Sequence, residues 1–358
     1  MTATVLITGA FGRLGEETLK ELLKRNVTLV CTDLETEENR KIAAALEPDG
    51  KFKIEWADLR DKQRVGEVLN RHEPQKILHL AAVVPPHCYL DPALAEEVNL
   101  DGTRNLLQAA KQLPQLERFV FCSSYSVYGS RNPHRTLELL TADTPLNPQD
   151  NYARQKAQNE ADLRASGLPF SILRLASVFG LRSQSLSGGR MKYLFLSPPE
   201  RRQHGIDGRD AALALSNSLD ADVLERVWLI GGEAPDWTRT AAEFFDAILQ
   251  AQGMKPIPER YFRQPAPQND SLWYYEDWMD VRESQAVLRY QQHSFAEMIA
   301  SLSGSEPAAP RWVLRLLSAS MQRRLVKQSP FDRKRDGLDQ RTHWQAACEL
   351  FGIGPDQA

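Results

Sequence analysis

The sequence has 358 residues, 42% of them hydrophobic, which is enough to bury a large core in roughly two domains or lobes. The formal net charge of −3 gives no reason to expect a nucleic-acid partner, and no apolar run approaches the roughly 18 residues that a bilayer-spanning helix needs. Four cysteines without metal-binding spacing, and an amino terminus without a basic region or cleavage site, predict a cytoplasmic protein that has no signal peptide.

Strand-like and helical patterns alternate through the first half of the sequence. Helical apolar spacing is found at residues 16–26, 62–73, 93–113 and in the segment that holds Tyr152. This alternation predicts an α/β fold, a doubly wound parallel sheet with helices on both faces. The strand-like runs between the helices cover residues 4–10, 27–33, 52–59, 76–84, 118–124 and 170–180.

The regular alternation ends after residue 180. Residues 226–233 predict one more strand, and residues 238–253 and 280–304 predict helices. The proline-rich residues 255–270 between these two helices are expected to be extended. The second half of the chain is therefore assembled from separate pieces.

A glycine-rich loop, with Gly9, Gly12 and Gly15, joins the first predicted strand to the first predicted helix. Such a loop allows a tight turn, lets backbone approach a pyrophosphate, and directs the free N–H groups of a helix towards it. Asp33 ends the next strand at the distance expected for a carboxylate that holds the adenosine ribose. Because a carboxylate repels a 2′-phosphate, the pattern favours NAD over NADP. Arg13 could pair with such a phosphate, but we favour a solvent-facing residue or a pyrophosphate contact.

The pair Tyr152 and Lys156 lies four positions apart on a predicted helix, so both side chains share one face. Together with the glycine loop and the strand segment FCSSYSVYG, this pair resembles the short-chain dehydrogenase/reductase superfamily. The segments TGAFGRLG, ADL and HLAA are similar to its extended branch, the NAD-dependent epimerase/dehydratase family. The resemblance is close over roughly residues 3–180 and then thins to fragments.

The resemblance implies a Rossmann-type fold with a smaller C-terminal substrate lobe, and NAD as cofactor. We expect an NAD-binding domain at residues 1–180, a substrate lobe of discontinuous pieces at 181–304, and a basic amphipathic tail at 305–358. A later strand and helix near residues 204–250 are candidates to return to the first domain. The implied cofactor-binding residues are Gly9, Phe11, Gly12, Arg13, Leu14, Gly15, Asp33, Asp58, Leu59, Leu80, Ala81, Ala82, Tyr152 and Lys156.

The resemblance also implies catalytic roles. Tyr152 is the acid/base. The ammonium of Lys156, together with the positively charged oxidised nicotinamide, lowers the pKa of Tyr152 from about 10, and Lys156 also holds the ribose. Ser124 hydrogen-bonds the reacting oxygen, and Asn99 supports the site. Ser123 is an alternative for the serine role, but Ser124 is favoured because it has the family spacing. For Asn99, capping the start of a helix is an equal alternative.

Several residues depart from the patterns of this family. Tyr125 and Ser126 stand where sugar-nucleotide 4,6-dehydratases carry acidic residues, which makes that activity a poor fit. Ser177 stands where nucleotide-sugar epimerases usually have asparagine, and the segment that follows is short. Arg201 and Arg202 are evidence for a nucleotide-sugar substrate, because either could bind a phosphate. We nevertheless favour their interpretation as part of a solvated turn.

The sequence therefore predicts an NAD-dependent oxidoreductase that transfers hydride at a secondary alcohol or ketone of a hydroxylated small molecule. The alternatives are an NAD-dependent (nucleotide-)sugar epimerase and a non-catalytic NAD-binding scaffold. The family also implies a homodimer, formed through the helices that hold Asn99 and Tyr152.

Two further segments have more than one interpretation. The aromatic cluster of residues 273–278 could line a substrate pocket, but core packing is favoured. The amphipathic tail could touch an anionic membrane surface weakly, although docking on this protein or a partner is favoured. Its apolar face consists of Val313, Leu317, Met321 and Leu325.

Overall fold

The structure, a computed structural model, describes residues 2–49, 51–181, 195–251, 253–265, 267–304, 322–331 and 341–354. In these ranges no helix is long and apolar enough to cross a membrane. The strands are β1 (Thr4–Thr8), β2 (Thr28–Asp33), β3 (Phe52–Trp56), β4 (Lys76–His79), β5 (Arg118–Ser124), β6 (Phe170–Leu175), β7 (Ser177–Phe179), β8 (Arg202–Asp207), β9 (Arg226–Ile230) and β10 (Thr238–Thr240).

The helices surround these strands. They are α1 (Arg13–Leu23), α2 (Glu37–Leu46), α3 (Lys62–His72), α4 (His87–Leu90), α5 (Pro92–Glu96), α6 (Thr103–Ala110), α7 (Asn151–Arg164), α8 (Gly208–Asn217), α9 (Ala241–Ala251), α10 (Arg282–Leu288), α11 (Phe295–Gly304) and α12 (His343–Phe351). A π-helical turn, Glu97–Gly102, joins α5 to α6, and a 3₁₀ turn, Tyr125–Tyr128, follows β5.

Seven strands form one parallel sheet in the order β3-β2-β1-β4-β5-β6-β9. Successive residues of a strand point to opposite faces, so Leu6 and Val30 pack on one face while Val5 and Leu29 pack on the other. Helices α3, α6 and α7 contribute to the first of these cores, and α1, α2 and α8 contribute to the second. This doubly wound arrangement confirms the predicted fold class.

The seventh strand of the main sheet, β9, comes from the second half of the chain. β9 pairs in parallel with β6, with Ser171 opposite Arg226, and α8 packs against α1. The predicted strand 170–180 is in fact two strands, because β6 pairs with β9 in the main sheet whereas β7 pairs with β8. β7, β8 and β10 form a separate three-stranded sheet.

The other differences from the predicted elements are interruptions and omissions. The predicted helix 93–113 is divided by the π-helical turn, and the predicted helix 280–304 is divided after Leu288, where Arg289 has a φ of +50°. Helix α2 was not predicted. Two parts of the tail, residues 322–331 and 341–354, pack on the rest of the chain.

Candidate active site

The glycine loop follows β1 and requires glycine at two positions. Gly9 has a φ of +68°, and a Cβ atom there would lie 2.8 Å from the backbone of Ala81. A Cβ atom on Gly15 would lie 2.0 Å from the carbonyl oxygen of Gly9, so α1 approaches the loop as closely as backbone allows. The loop is therefore a cradle of exposed backbone at the start of a helix, as an anion site requires.

Asp33 lies beside this loop, at the carboxyl end of β2. Its carboxylate accepts hydrogen bonds from the backbone N–H of Phe11 at 2.9 Å and of Leu34 at 2.8 Å. Burial raises the pKa of Asp33, while these hydrogen bonds oppose the rise. Arg13 is exposed on the first turn of α1, which agrees with the solvent-facing alternative.

The remaining predicted cofactor residues follow the neighbouring strands. Asp58 accepts hydrogen bonds from the backbone and guanidinium of Arg60, and the Leu59 side chain is buried. The residues after β4, Leu80–Ala82, lie against the glycine loop, and the Ala81 N–H donates to Thr8 Oγ1 at 3.3 Å. The carboxyl ends of parallel strands share one edge of a sheet, which is where ligands bind in folds of this kind.

Helix α7 brings Tyr152 and Lys156 to the same edge. The Lys156 ammonium donates to the Cys122 carbonyl at 2.7 Å, and Cys122 lies two residues before Ser124 on β5. Lys156 Nζ also lies 5.8 Å from the centroid of the Tyr152 ring. The structure thus brings together the tyrosine, lysine and serine that the sequence singled out, while their roles stay predictions.

Burial dominates the pKa of Tyr152 in the protein without cofactor. Burial raises the pKa of Tyr152 well above its ordinary value, and Cys122, Cys88 and Asp150 act in the same direction. Burial likewise lowers the pKa of Lys156. Desolvation of the phenolate is the main cause of the raised pKa of Tyr152. The predicted lowering needs the positive charge of the nicotinamide as well as that of Lys156, so it stays a prediction.

The two serines at the end of β5 point to different surroundings. Ser123 Oγ donates to Glu160 Oε1 at 2.6 Å and is buried. Ser124 Oγ instead accepts hydrogen bonds from the N–H and the hydroxyl of Ser126, at 3.2 and 3.0 Å. Because Ser124 Oγ is an acceptor in both bonds, its own proton can be donated to a ligand. This geometry favours Ser124 over Ser123.

Asn99 lies inside the π-helical turn and does not cap a helix start. Its Oδ1 accepts from the Val83 N–H at 2.8 Å, and its Nδ2 donates to the Val83 carbonyl at 3.0 Å and to Gln155 at 2.7 Å. The capping alternative is wrong, because a cap bonds the backbone of its own first turn. Asn99 instead joins the loop after β4 to the helix that carries Lys156.

A buried chain of hydrogen bonds, which the sequence reasoning missed, connects the glycine loop to Asn99. Thr103 Oγ1 donates to the Asn99 carbonyl at 2.6 Å, so it accepts from His79 Nε2 at 2.9 Å. His79 Nδ1 then accepts from Thr8 Oγ1 at 2.6 Å. Burial lowers the pKa of His79 to about 3, so the ring is neutral. A histidine in an otherwise apolar strand was the only signal in the sequence.

The substrate side of the site contains a buried ionic network. Ser177 Oγ lies 2.7 Å from the Tyr125 hydroxyl and donates to Glu276 Oε1 at 2.9 Å. The other Glu276 oxygen pairs with Arg201. Arg201 and Arg202 are both buried, so their interpretation as a solvated turn is wrong.

The aromatic cluster divides between core and site. Trp273 and Tyr275 are fully buried, as the core interpretation predicted. Tyr274 is half-buried, packs in the same apolar cluster as Tyr152, and has the Arg201 guanidinium 4.9 Å from its ring centroid. Tyr274 therefore lies between the candidate catalytic tyrosine and the ionic network.

Residues 5–196, more than half of the sequence, match the model of the NAD dependent epimerase/dehydratase family. The chain therefore belongs to the NAD-dependent epimerase/dehydratase family, as the motifs predicted. The cofactor of this family is NAD, which agrees with the glycine loop and Asp33.

Particular members of the family differ in their activities. D-erythronate dehydrogenase of Haemophilus influenzae is 32% identical over 156 residues, covering 44% of this chain and 47% of that protein. A UDP-glucose 4-epimerase of Lactobacillus helveticus is 29% identical over 189 residues, covering 51% and 54%. The chain thus spans about half the length of these curated relatives.

The fold has solved counterparts. The UDP-glucose 4-epimerase of Thermus thermophilus, solved as a complex with NAD, is similar with a TM-score of 0.66 and 24% identity. The likeness covers 85% of this chain and all of that one. It confirms the Rossmann-type fold with a C-terminal lobe.

Proposed function

We propose that this chain is an NAD-dependent oxidoreductase that transfers hydride at a secondary alcohol or ketone of a small hydroxylated molecule. The observation that carries the proposal is the convergence of Tyr152, Lys156 and Ser124 at the sheet edge that also holds the glycine loop. The bond from Lys156 to the Cys122 carbonyl, at 2.7 Å, ties the helix with the tyrosine to the strand with the serine.

The residues of this edge fit NAD. The loop at Gly9 and Gly15 leaves backbone where a Cβ atom would collide, and Asp33 stands beside it to accept from ribose hydroxyls. When bound, NAD supplies the hydride acceptor for oxidation of the alcohol. The loop backbone would hold its pyrophosphate, and Lys156 its nicotinamide ribose.

The roles of the side chains follow from their protonation. Burial keeps Tyr152 a neutral phenol, which is the form that donates a proton to a ketone oxygen during reduction. In the direction of oxidation the phenolate must form first, and the positive charge of Lys156 stabilises it. Ser124, with its proton free to donate, stabilises negative charge as it develops on the substrate oxygen.

The ionic network bears on the class of substrate. Arg201 is paired with Glu276, and Arg202 lies 3.2 Å from Asp277, so both candidate phosphate ligands are already neutralised inside the protein. Diphosphate recognition needs well-placed cations or backbone donors. The proposed substrates are therefore polyols, free sugars, sugar acids or more apolar alcohols. Among these classes we favour sugar acids, because one relative is a D-erythronate dehydrogenase.

An epimerase is the second candidate, because several relatives and solved neighbours are UDP-glucose 4-epimerases. Such an enzyme would return the hydride to the opposite face of the substrate. A non-catalytic NAD-binding scaffold is the alternative of another class, and the joint presence of Ser124, Tyr152 and Lys156 argues against it.

One screen separates these three functions. The full chain with NAD is incubated with sugar acids, polyols, free sugars, hydroxysteroids and UDP-, GDP- and dTDP-sugars. Cofactor reduction and epimer formation are both measured. We expect cofactor reduction with a small hydroxylated compound, sugar acids first, and poor turnover of every nucleotide sugar. Efficient epimerisation of a nucleotide sugar would establish the second candidate, and bound cofactor that no compound reduces would support the scaffold.

The proposal extends to the setting of the protein. All four cysteines are free thiols, which fits the reducing conditions of a cytoplasmic location. A homodimer through α7 and the helices around Asn99 is proposed from the family resemblance, and light scattering of the purified chain tests it. A weak membrane-surface contact of the tail stays a prediction. Of its apolar face, Leu325 lies in the described part of the chain and packs on the protein, while Val313, Leu317 and Met321 lie outside it.

A further inference from the structure

The C-terminal helix α12 contributes to the apolar cluster against which Tyr152 packs, although it is far outside the residues that match the family model. It begins with a capping box, in which the Thr342 and Gln345 side chains each accept from the other residue's backbone N–H. Its residues His343, Trp344 and Ala347 are buried, whereas Glu349 is exposed. The helix therefore presents one buried face to the protein and one face to solvent.

One side of the buried face contacts the elements that hold the start of α7. The Trp344 ring lies 5.1 Å from the Tyr89 ring, and the Tyr89 hydroxyl donates to Asp150 at 2.5 Å. Asp150 caps α7 by accepting from the Ala153 N–H at 2.6 Å, and Tyr152 lies in this first turn. Trp344 thus lies one residue, Tyr89, away from the cap of the catalytic helix.

The other side of the buried face contacts the substrate lobe. The His343 ring lies 4.7 Å from Tyr274 and 5.2 Å from Tyr275, measured between ring centroids. Tyr274 and Tyr152 both pack against the apolar cluster to which Trp344 contributes. Val83, whose backbone is held by Asn99, packs against the same cluster. Helix α12 therefore contributes to the apolar cluster against which Tyr152, Tyr274 and Val83 pack.

We propose that α12 is part of the active site, where its buried face closes the substrate side of Tyr152 and limits the size of the alcohols that reach the phenol. This inference rests on the proposed function for the identity of the substrate as an alcohol. The helix acts through packing, so its residues determine specificity and exclude water, while proton transfer stays with Tyr152.

The volume of the α12 side chains therefore determines both the access of water to Tyr152 and the size of the substrates that reach it. Removing bulk admits water and larger substrates to Tyr152, and adding bulk does the opposite. A hydrophobic pocket discriminates between substrates that differ by one methylene group by about tenfold or more. Truncation of a tryptophan should therefore change the preference between bulky and compact alcohols strongly.

The test uses the full chain with Trp344→Ala, Ala347→Val and, as a control on the exposed face of the same helix, Glu349→Gln. Nitration of Tyr152 by tetranitromethane, mapped by peptide mass spectrometry, reports access to the phenol without any turnover. We expect faster nitration of Tyr152 in Trp344→Ala, slower nitration in Ala347→Val, and the parent rate in Glu349→Gln. Calorimetry should give the parent affinity for NAD in all three.

Substrate preference supplies the second measurement. The ratio of kcat/KM for a bulky to a compact secondary alcohol should rise by about tenfold or more in Trp344→Ala and fall in Ala347→Val. Parent rates of Tyr152 nitration in both variants would overturn the inference, as would an unchanged alcohol ratio. Absence of turnover with every alcohol would instead reject the proposed function, and nitration would still decide whether α12 covers Tyr152. If Trp344→Ala does not fold, Ala347→Val decides by the same two measurements.

Discussion

At the scale of single residues, the proposed reaction uses the hydroxyl group of the Tyr152 side chain. We expect Tyr152→Phe to lower kcat by about 10²–10⁴-fold, because general acid–base catalysis contributes on that order. The affinity for NAD should not change, since the ring and its packing remain. NADH absorbance measures kcat, and calorimetry measures the affinity. A variant as active as the parent would remove Tyr152 from the acid/base role.

Asp33 is expected to determine the choice of cofactor. NAD should bind more tightly than NADP, because the carboxylate faces the position of the 2′-phosphate. Asp33→Asn retains an acceptor for the Phe11 N–H and removes the negative charge. The variant should therefore bind NADP more tightly, which reduces the difference in affinity between NAD and NADP. Calorimetric titration of both proteins with both cofactors measures this. Equal or tighter NADP binding by the parent would contradict the role given to Asp33.

His79 makes stability depend on pH. Its pKa is lowered to about 3 in the folded protein from an ordinary value of 6.5, so below pH 6.5 the unfolded chain binds more protons. The free energy of unfolding should therefore fall as the pH decreases from about 6.5 towards 3, by up to roughly 1.4 kcal/mol per pH unit from this group.

His79→Asn should make that decline shallower, and urea unfolding between pH 7 and 4 measures the slope. Buried His204 contributes a slope of its own, so the comparison is between variant and parent. His134→Asn is the control, because that ring is exposed. An equal slope in His79→Asn and the parent would mean that folding does not lower the pKa of His79.

At the scale of elements, two helical glycines have opposite surroundings. A Cβ atom on Gly15 would lie 2.0 Å from a backbone carbonyl, whereas a Cβ atom on Gly66, inside α3, would meet nothing within 4 Å. Gly15→Ala should abolish NAD binding and destabilise the fold by about 1–3 kcal/mol. Gly66→Ala should stabilise it by about 0.5–1 kcal/mol. Urea unfolding and calorimetry measure both effects, and NAD binding by Gly15→Ala would contradict the close approach of α1 to the loop.

The boundaries of elements were predictable where local pattern decides them. The six strand-like runs of the first half all contain strands of the main sheet, because buried parallel strands are continuously apolar. The break at Ala176 was not predictable, because β6 and β7 pair with different strands, β9 and β8, that lie far away in the sequence. The π-helical turn at Asn99 likewise has partners from the loop after β4 and from α7.

At the scale of the whole molecule, the main sheet depends on residues far beyond the family motifs. β9 covers the edge of β6, and α8 covers α1, through contacts that include the Arg25–Asp220 ion pair. We expect a fragment of residues 1–180 to bind NAD much more weakly than the full chain, because it exposes a strand edge and the apolar face of α1. Circular dichroism and calorimetry on the fragment test this. A fragment with the affinity of the full chain would mean that the first 180 residues are self-sufficient.

The site was predictable in its chemistry and less so in its surroundings. Ser124, Tyr152 and Lys156 could be found because their spacing is local and their residue types are specific to the chemistry. The pairing of Arg201 with Glu276 joins residues 75 positions apart, so no local pattern reveals it. The raised pKa of Tyr152 in the protein without cofactor was not predictable for the same reason, since burial by distant segments dominates it.

The buried hydrogen bonds from Thr8 to Asn99 have one further consequence. Each hydroxyl or ring in the chain donates in one direction only, from Thr8 through His79 and Thr103 to the Asn99 carbonyl. The direction is fixed at its end, because the Asn99 carbonyl can only accept. The backbone of the asparagine turn therefore selects the tautomer of His79 with its proton on Nε2, and Thr8 Oγ1, which donates to Nδ1, stays an acceptor for the Ala81 N–H beside the glycine loop.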